Sequence, residues 1–147
     1  MADIIPHNVM ALMAEGAIDL ENDTLYVDLI DDTYSPNADD DTFETGSDPY
    51  DSMISTANGY TQGTHTATLT VTDEDGDDNA KVDMNDWSVT ASGGSIGPAR
   101  YAVLWDDTAA NDPIIYIFDL GENKTAGDGT DFKITIDANG LFTMAQA

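Results

Sequence analysis

The chain has 147 residues, a hydrophobic fraction of 41% and a formal net charge of −25, from 29 acidic side chains against 4 basic ones, Lys81, Arg100, Lys124 and Lys133. That length suits one domain, residues 1–147, and the apolar fraction is enough for a packed core, which argues against an acidic disordered segment. No basic patch exists to neutralise phosphates, so nucleic acid is excluded as a partner. An anionic membrane surface would repel the chain, and no window is apolar enough to span a bilayer.

Cysteine is missing, which removes disulfides, thiolate chemistry and Cys-based zinc sites. Residues 1–18 lack the basic start of a secretory signal. The acidic excess repels itself at low ionic strength, whereas salt near 1 M shortens the screening length to about 3 Å. Asp outnumbers Glu heavily and Lys is scarce. Together these point to a protein adapted to concentrated salt.

In chain order, residues 5–20 are the helix candidate, within an N-terminal helical segment over 1–22. Val9, Leu12, Met13, Ala17 and Leu20 recur at helical spacing, Pro6 suits a first turn and Gly16 marks the far end. Residues 24–31 (TLYVDLID) alternate as a strand. Residues 31–51 form a long acidic loop with Pro36, Gly46 and Pro49. Residues 64–72 (THTATLTVT) read as one Thr-rich strand, and 80–84 and 87–91 as two short strands around a turn at Asn85-Asp86. The most apolar strands, 99–105 and 113–120, belong at the centre. Residues 131–137 and 141–144 flank Asn139-Gly140, the signature of a type I′ hairpin. Many short strands with frequent turns predict a mainly β fold, an antiparallel β-sandwich or Greek-key barrel with one N-terminal helix.

The run Asp73-Glu74-Asp75-Gly76-Asp77-Asp78-Asn79 offers alternating carboxylates to a hard cation. It departs from the EF-hand pattern: Gly76 comes two residues early, no Glu stands at the twelfth position and no helices flank it. Asp73, Asp75, Asp77 and Asp78 are therefore weak metal candidates, and an acidic hairpin tip is the plainer reading. Asp39, Asp40, Asp41, Glu44 and Asp48 form a second acidic cluster, read as a solvated loop. Gly93-Gly94-Ser95-Ile96-Gly97 matches the G-x-S-x-G elbow in letters, but Pro98 and an apolar strand follow where a helix is required. His7 and His65 lie in no nucleophile or metal motif. No catalytic residue and no cofactor is expected, and the chain is read as a non-enzyme. Trp87, Tyr101, Trp105, Ile115, Tyr116, Phe118 and Phe142, with Phe132, are candidates for core or subunit interface, and an exposed Trp87 or Trp105 would instead suit a carbohydrate platform. Asn22-Asp23-Thr24 and Asn123-Lys124-Thr125 match the glycosylation sequon.

The opening helix leads into a segment running from Glu15 through Leu25-Tyr26-Val27-Asp28-Leu29 to Ile30. Asp86-Trp87-Ser88-Val89-Thr90, Ala99-Arg100-Tyr101-Ala102-Val103-Leu104-Trp105 and Pro113-Ile114-Ile115-Tyr116-Ile117-Phe118-Asp119-Leu120-Gly121 follow. Gly129-Thr130-Asp131-Phe132-Lys133-Ile134-Thr135-Ile136 and Asn139-Gly140-Leu141-Phe142 come last. This order resembles a family of small virion structural proteins of tailed phages. The resemblance runs through nearly the whole chain as a pattern of strands and turns, and it carries no catalytic motif. It implies a capsid-associated or tail-associated role in a virion assembled in the host cytoplasm. The Asp-rich loops exceed the family's pattern and suggest a virus of a halophilic host.

The expectation is a capsid decoration protein, cement or turret, bound to the major capsid protein or another virion protein. A tail, collar or fibre component and an extracellular sugar- or calcium-binding module are the alternatives. A homo-oligomer is expected, a trimer by preference, because Ile114 to Phe118 are apolar without alternation and so need cover on both faces. The charge makes a first prediction. The melting temperature should rise steeply from low to multimolar NaCl or KCl, and a flat profile would remove the halophilic reading.

Overall fold

The computed structural model describes residues 2–74, 76 and 79–145. Its one α-helix, α1 (Val9–Ala14), is shorter than the predicted helix. Gly16 takes φ +70°, and the Gly16 and Ala17 amides donate to the Met13 and Leu12 carbonyls. That pairing is a Schellman stop, which a left-handed glycine makes easy. Pro6 precedes the helix instead of opening it, and Ile18 and Leu20 enter the core from irregular chain.

Nine strands follow: β1 (Leu25–Ile30), β2 (Thr66–Ala67), β3 (Leu69–Glu74), β4 (Asn79–Met84), β5 (Trp87–Thr90), β6 (Ile96–Asp106), β7 (Ile114–Ala126), β8 (Asp131–Ile134) and β9 (Phe142–Ala145). They form antiparallel sheets ordered β2-β1-β6-β7, β3-β4-β9 and β5-β8. The fold is mainly β and sandwich-like, as the spacing of strands and turns predicts.

Three local expectations fail on pairing. Residues 64–72 are not one strand: β2 joins β1, Thr68 breaks the run, and β3 joins β4 in the facing layer. β4 and β5 do not fold back on each other at Asn85-Asp86. They follow one another along a common partner path, β4 on β9 and β5 on β8, like two halves of a bent strand. Asn139-Gly140 makes no two-residue hairpin, because β8 and β9 do not pair. Only Gly140 has positive φ there, and the Asp137 carboxylate instead accepts the backbone and side-chain N–H groups of Asn139. Gly140 is needed for close approach: a Cβ would lie 2.6 Å from the Val82 carbonyl oxygen.

The main core fills the sandwich. Leu25, Val27 and Leu29 of β1 meet Ala102 and Leu104 of β6, Ile115, Tyr116 and Phe118 of β7, and Val82, Trp87, Phe132 and Phe142 of the facing layer. A second core covers the outer face of the four-stranded sheet, where Tyr101, Val103, Trp105, Ile114 and Ile117 pack against Tyr34 and Phe43. Those two aromatics belong to residues 31–51, so the acidic segment is a lid and not a solvated loop. Phe43 stacks on Trp105 at 5.0 Å, and Tyr34 meets Tyr101 edge-on at 5.6 Å. Backbone bonds from Phe43 to Asp112 and from Ile114 to Asp41 tie the lid to the start of β7. The apolar run Ile114 to Phe118 is therefore covered on both faces within one chain, and it does not itself call for a second subunit.

Phe43→Ala removes the lid's central side chain, which is 2% exposed. Chemical denaturation should show a loss of about 3–5 kcal/mol. A change within about 0.5 kcal/mol, usual for a surface position, would mean that the lid does not seal the sheet.

Candidate interaction surface

The seven aromatic and aliphatic residues singled out as core or interface, Trp87, Tyr101, Trp105, Ile115, Tyr116, Phe118 and Phe142, are all buried. They divide between the two cores, so neither indole is offered as a carbohydrate platform. Of the weak metal candidates, Asp73 lies exposed near the end of β3, and Asp75, Asp77 and Asp78 fall outside the described residues. Among the described residues no three His, Cys, Asp or Glu side chains converge as a metal site. Asp39, Asp40 and Asp48 are engaged separately: Asp39 with His7, Asp40 with the Tyr34 hydroxyl, and Asp48 with the Ser52 hydroxyl. Ser95 is exposed in the bend before β6, with a strand and no helix after it.

Two carboxylates that the sequence reading did not single out are fully buried. Asp28 stands in the middle of β1. Its Oδ1 accepts the Tyr60 hydroxyl at 2.7 Å and the Gly63 amide at 2.9 Å, and its Oδ2 accepts Trp105 Nε1 at 2.9 Å. Tyr60 also accepts the Leu29 amide. Burial, then the adjacent Asp28 carboxylate, raises the Tyr60 hydroxyl far above its ordinary value. His65 stacks on the Tyr60 ring at 5.4 Å, and its Nε2 accepts the Thr61 amide. Burial lowers its pKa, in keeping with an acceptor nitrogen. The signal in the sequence was an acid centred in an otherwise apolar strand.

Asp106 ends β6. Its Oδ1 accepts the Thr108 and Ala109 amides at 2.8 and 3.1 Å, and its buried Oδ2 has no donor. Burial, with the Asp23 carboxyl within hydrogen-bonding reach, pushes Asp106 up to about 6 against the pull of those two amides. Two carboxyls in contact share a proton more readily than they ionise together.

One open surface feature is a seam. β7 is an edge of the four-stranded sheet and β8 an edge of the two-stranded one, and no ladder joins them. A groove of about 440 Å³ lies between, with Phe118, Leu120, Ala126, Phe132 and Ile134 among its lining and Lys124 and Lys133 at its rim. Half of the chain's basic residues thus flank one groove. Both are exposed and lightly held, Lys124 by Glu122 at 2.6 Å and Lys133 by Asp86 at 3.3 Å. Asp3 and Asp131 also line it, but each already accepts hydrogen bonds, Asp3 from the Tyr116 hydroxyl and the Asp119 amide, and Asp131 from the Thr90 hydroxyl. At one end, Ile4 bridges antiparallel to Ile117 and occupies the first stretch of the β7 edge. The sequence showed the lysines but not that the fold would bring them to one groove.

Compared with protein-family models, with curated proteins and with solved structures, the chain matches none.

The Asp106 pair makes a prediction about pH. A folded-state pKa above the ordinary value of 3.8 gives stability that is full below that value and is lost as pH rises through about 6. His65, lowered by burial, works in the opposite direction over part of this range. The informative quantity is therefore the difference between wild type and Asp106→Asn in equal salt. Wild type should lose up to about 3 kcal/mol relative to the variant between pH 4 and pH 8. Parallel stability curves would show that burial does not hold the Asp106 carboxyl protonated above its ordinary range.

Proposed function

We propose that this chain is a structural protein of a tailed virus of a halophilic host, acting as a capsid decoration protein. The observation that carries the reading is the order of strands and turns, which resembles small phage virion proteins through nearly the whole chain. Its partners are the major capsid protein and further copies of itself, in a closed symmetric oligomer with a trimer the expected number. The surface chemistry agrees with such a role. Carboxylates at this density keep a protein hydrated and separate in molar salt, while the seam sets two of the four basic side chains beside an apolar lining. The sugar-binding alternative loses support, because a stacking platform needs an exposed aromatic face and both tryptophans are buried.

Virions purified from the host should contain the chain in many copies, and a cryo-EM map should place it on the outer capsid surface across capsomer boundaries. Placement on the tail would overturn the decoration role and keep the structural one. Absence from purified particles would overturn both.

A further inference from the structure

We propose that Asp23 and Asp106 together bind a hard divalent cation, calcium by preference, where the approach to β1 meets the end of β6. The site is separate from the acidic run of residues 73–79.

Backbone pairing brings the two acids together. Leu25 stands opposite Asp106 in the β1–β6 ladder. The Asp107 amide donates to the Thr24 carbonyl at 2.9 Å, and the Thr24 amide donates to the Thr108 hydroxyl at 2.8 Å. Asp23, one residue before this crossing, lies with its carboxyl within hydrogen-bonding reach of Asp106. Its Oδ2 accepts the Asp19 amide at 2.7 Å, which fixes the group in place.

Asp106 is 0% exposed, and its two oxygens are treated differently. Oδ1 accepts two amides, whereas the buried Oδ2 has no donor. Asp28, the other fully buried carboxylate, has donors on both oxygens. A buried carboxylate oxygen without a partner is costly, and the chain's own cations are engaged elsewhere. Lys81, Arg100, Lys124 and Lys133 pair with Glu74, Asp119, Glu122 and Asp86, and His7 pairs with Asp39. His65 stacks on Tyr60. A proton or an ion from solution must therefore serve. The proton serves in acid, since Asp106 gives it up as pH rises through about 6. Above that pH the pair carries two negative charges, which one divalent cation neutralises.

The donors decide the class of ion. Carboxylate oxygens select hard cations over zinc or copper. Two side chains leave most of the coordination shell to water, and water has access because Asp23 is half-buried and Asp107 and Thr108 are exposed. Calcium tolerates such an irregular shell, whereas magnesium demands a near-ideal octahedron. Bound there, the ion ties residues 19–24 to the turn that follows β6.

The ¹⁵N-labelled full chain in molar KCl, titrated with CaCl₂ and followed by NMR, tests this. High KCl suppresses diffuse counter-ion binding to the acidic surface. At pH 8 the amides of Asp19, Thr108 and Ala109, which donate to the two carboxylates, should shift together and saturate at one site per chain. At pH 5 the apparent affinity should be about tenfold weaker, because a proton competes for Asp106. Asp106→Asn and Asp23→Asn each keep an oxygen for the amides and should each abolish the saturable response. If Asp106→Asn fails to fold, Asp23→Asn, at the half-buried side of the pair, decides alone. Shifts that stay linear and spread over the acidic surface, equal affinity at pH 5 and pH 8, or saturation that survives in a folded variant would each overturn the proposal.

Discussion

Strand β6 and the first half of its neighbour β7 are apolar on both faces, and much of the structure follows from having to cover them. One face is met by the opposite layer of the sandwich. The other requires a cover that a chain of this composition could not leave to chance, because the surrounding surface is intensely acidic. Residues 31–53 supply it. Phe43 rests on Trp105, Tyr34 on Tyr101, and Tyr50 on Phe43 at 5.2 Å, so the aromatic side chains point inward from a backbone that leaves Asp32, Asp39, Glu44, Asp48 and Asp51 exposed. The same tryptophan donates to the buried Asp28. Lid, sheet and the Asp28 cluster therefore share one residue, and a disturbance in any of them reaches the others.

The preference for Asp over Glu has a structural side besides hydration. Many of these carboxylates accept hydrogen bonds from backbone nearby in sequence. Asp19 receives the Glu21 and Asn22 amides, Asp31 that of Thr33, Asp40 that of Asn37, and Asp137 that of Asn139. A short side chain can reach its own backbone in this way. A Glu, one methylene longer, gives up more rotamer freedom to do so. Long connections are thereby fixed by the same groups that carry the charge, so the acidity does not imply loose loops.

Strand content, the interior place of residues 99–105 and the burial of residues 113–120 were legible, because composition reports burial directly, but 113–120 lie in β7, which is an edge of its sheet and is buried by the lid and the facing layer instead of by a second strand neighbour. What alternation cannot report is the partner. The Thr-rich run over 64–72 keeps its period through Thr68, although the chain changes sheets there. Helical spacing in residues 5–20 continued past Gly16 by coincidence, since Ile18 and Leu20 are apolar for reasons of core position and not of helix face. The acidic segment was misread because charge dominates its composition; Tyr34, Phe43 and Tyr50 interrupting the acidic run were the sign of a lid. The Asp23–Asp106 contact joins residues far apart in sequence, and nothing local to either marks it.

The two lateral corners of the sandwich differ, and the difference concerns where the fold can accept a partner. At one corner the chain itself crosses between layers, as β2 passes into β3 through Thr68, and Asn85 donates to the Thr68 carbonyl to hold the crossing. At the other, β7 turns into β8 through residues 127–130, where the Ala91 amide donates to the Thr130 carbonyl and the Gly129 amide to the Ala91 carbonyl, yet the strands part without a ladder. Closing that corner would need one more strand. The segment at Ile4 supplies a single bridge of it, on the β7 edge at Ile117. Beyond that bridge the β7 residues from Gly121 to Thr125 are exposed, in contrast to the buried Ile114 to Phe118 stretch of the same strand. One strand thus serves two purposes along its length: its first half is sealed in both cores, and its second half borders the groove where the rare basic residues gather.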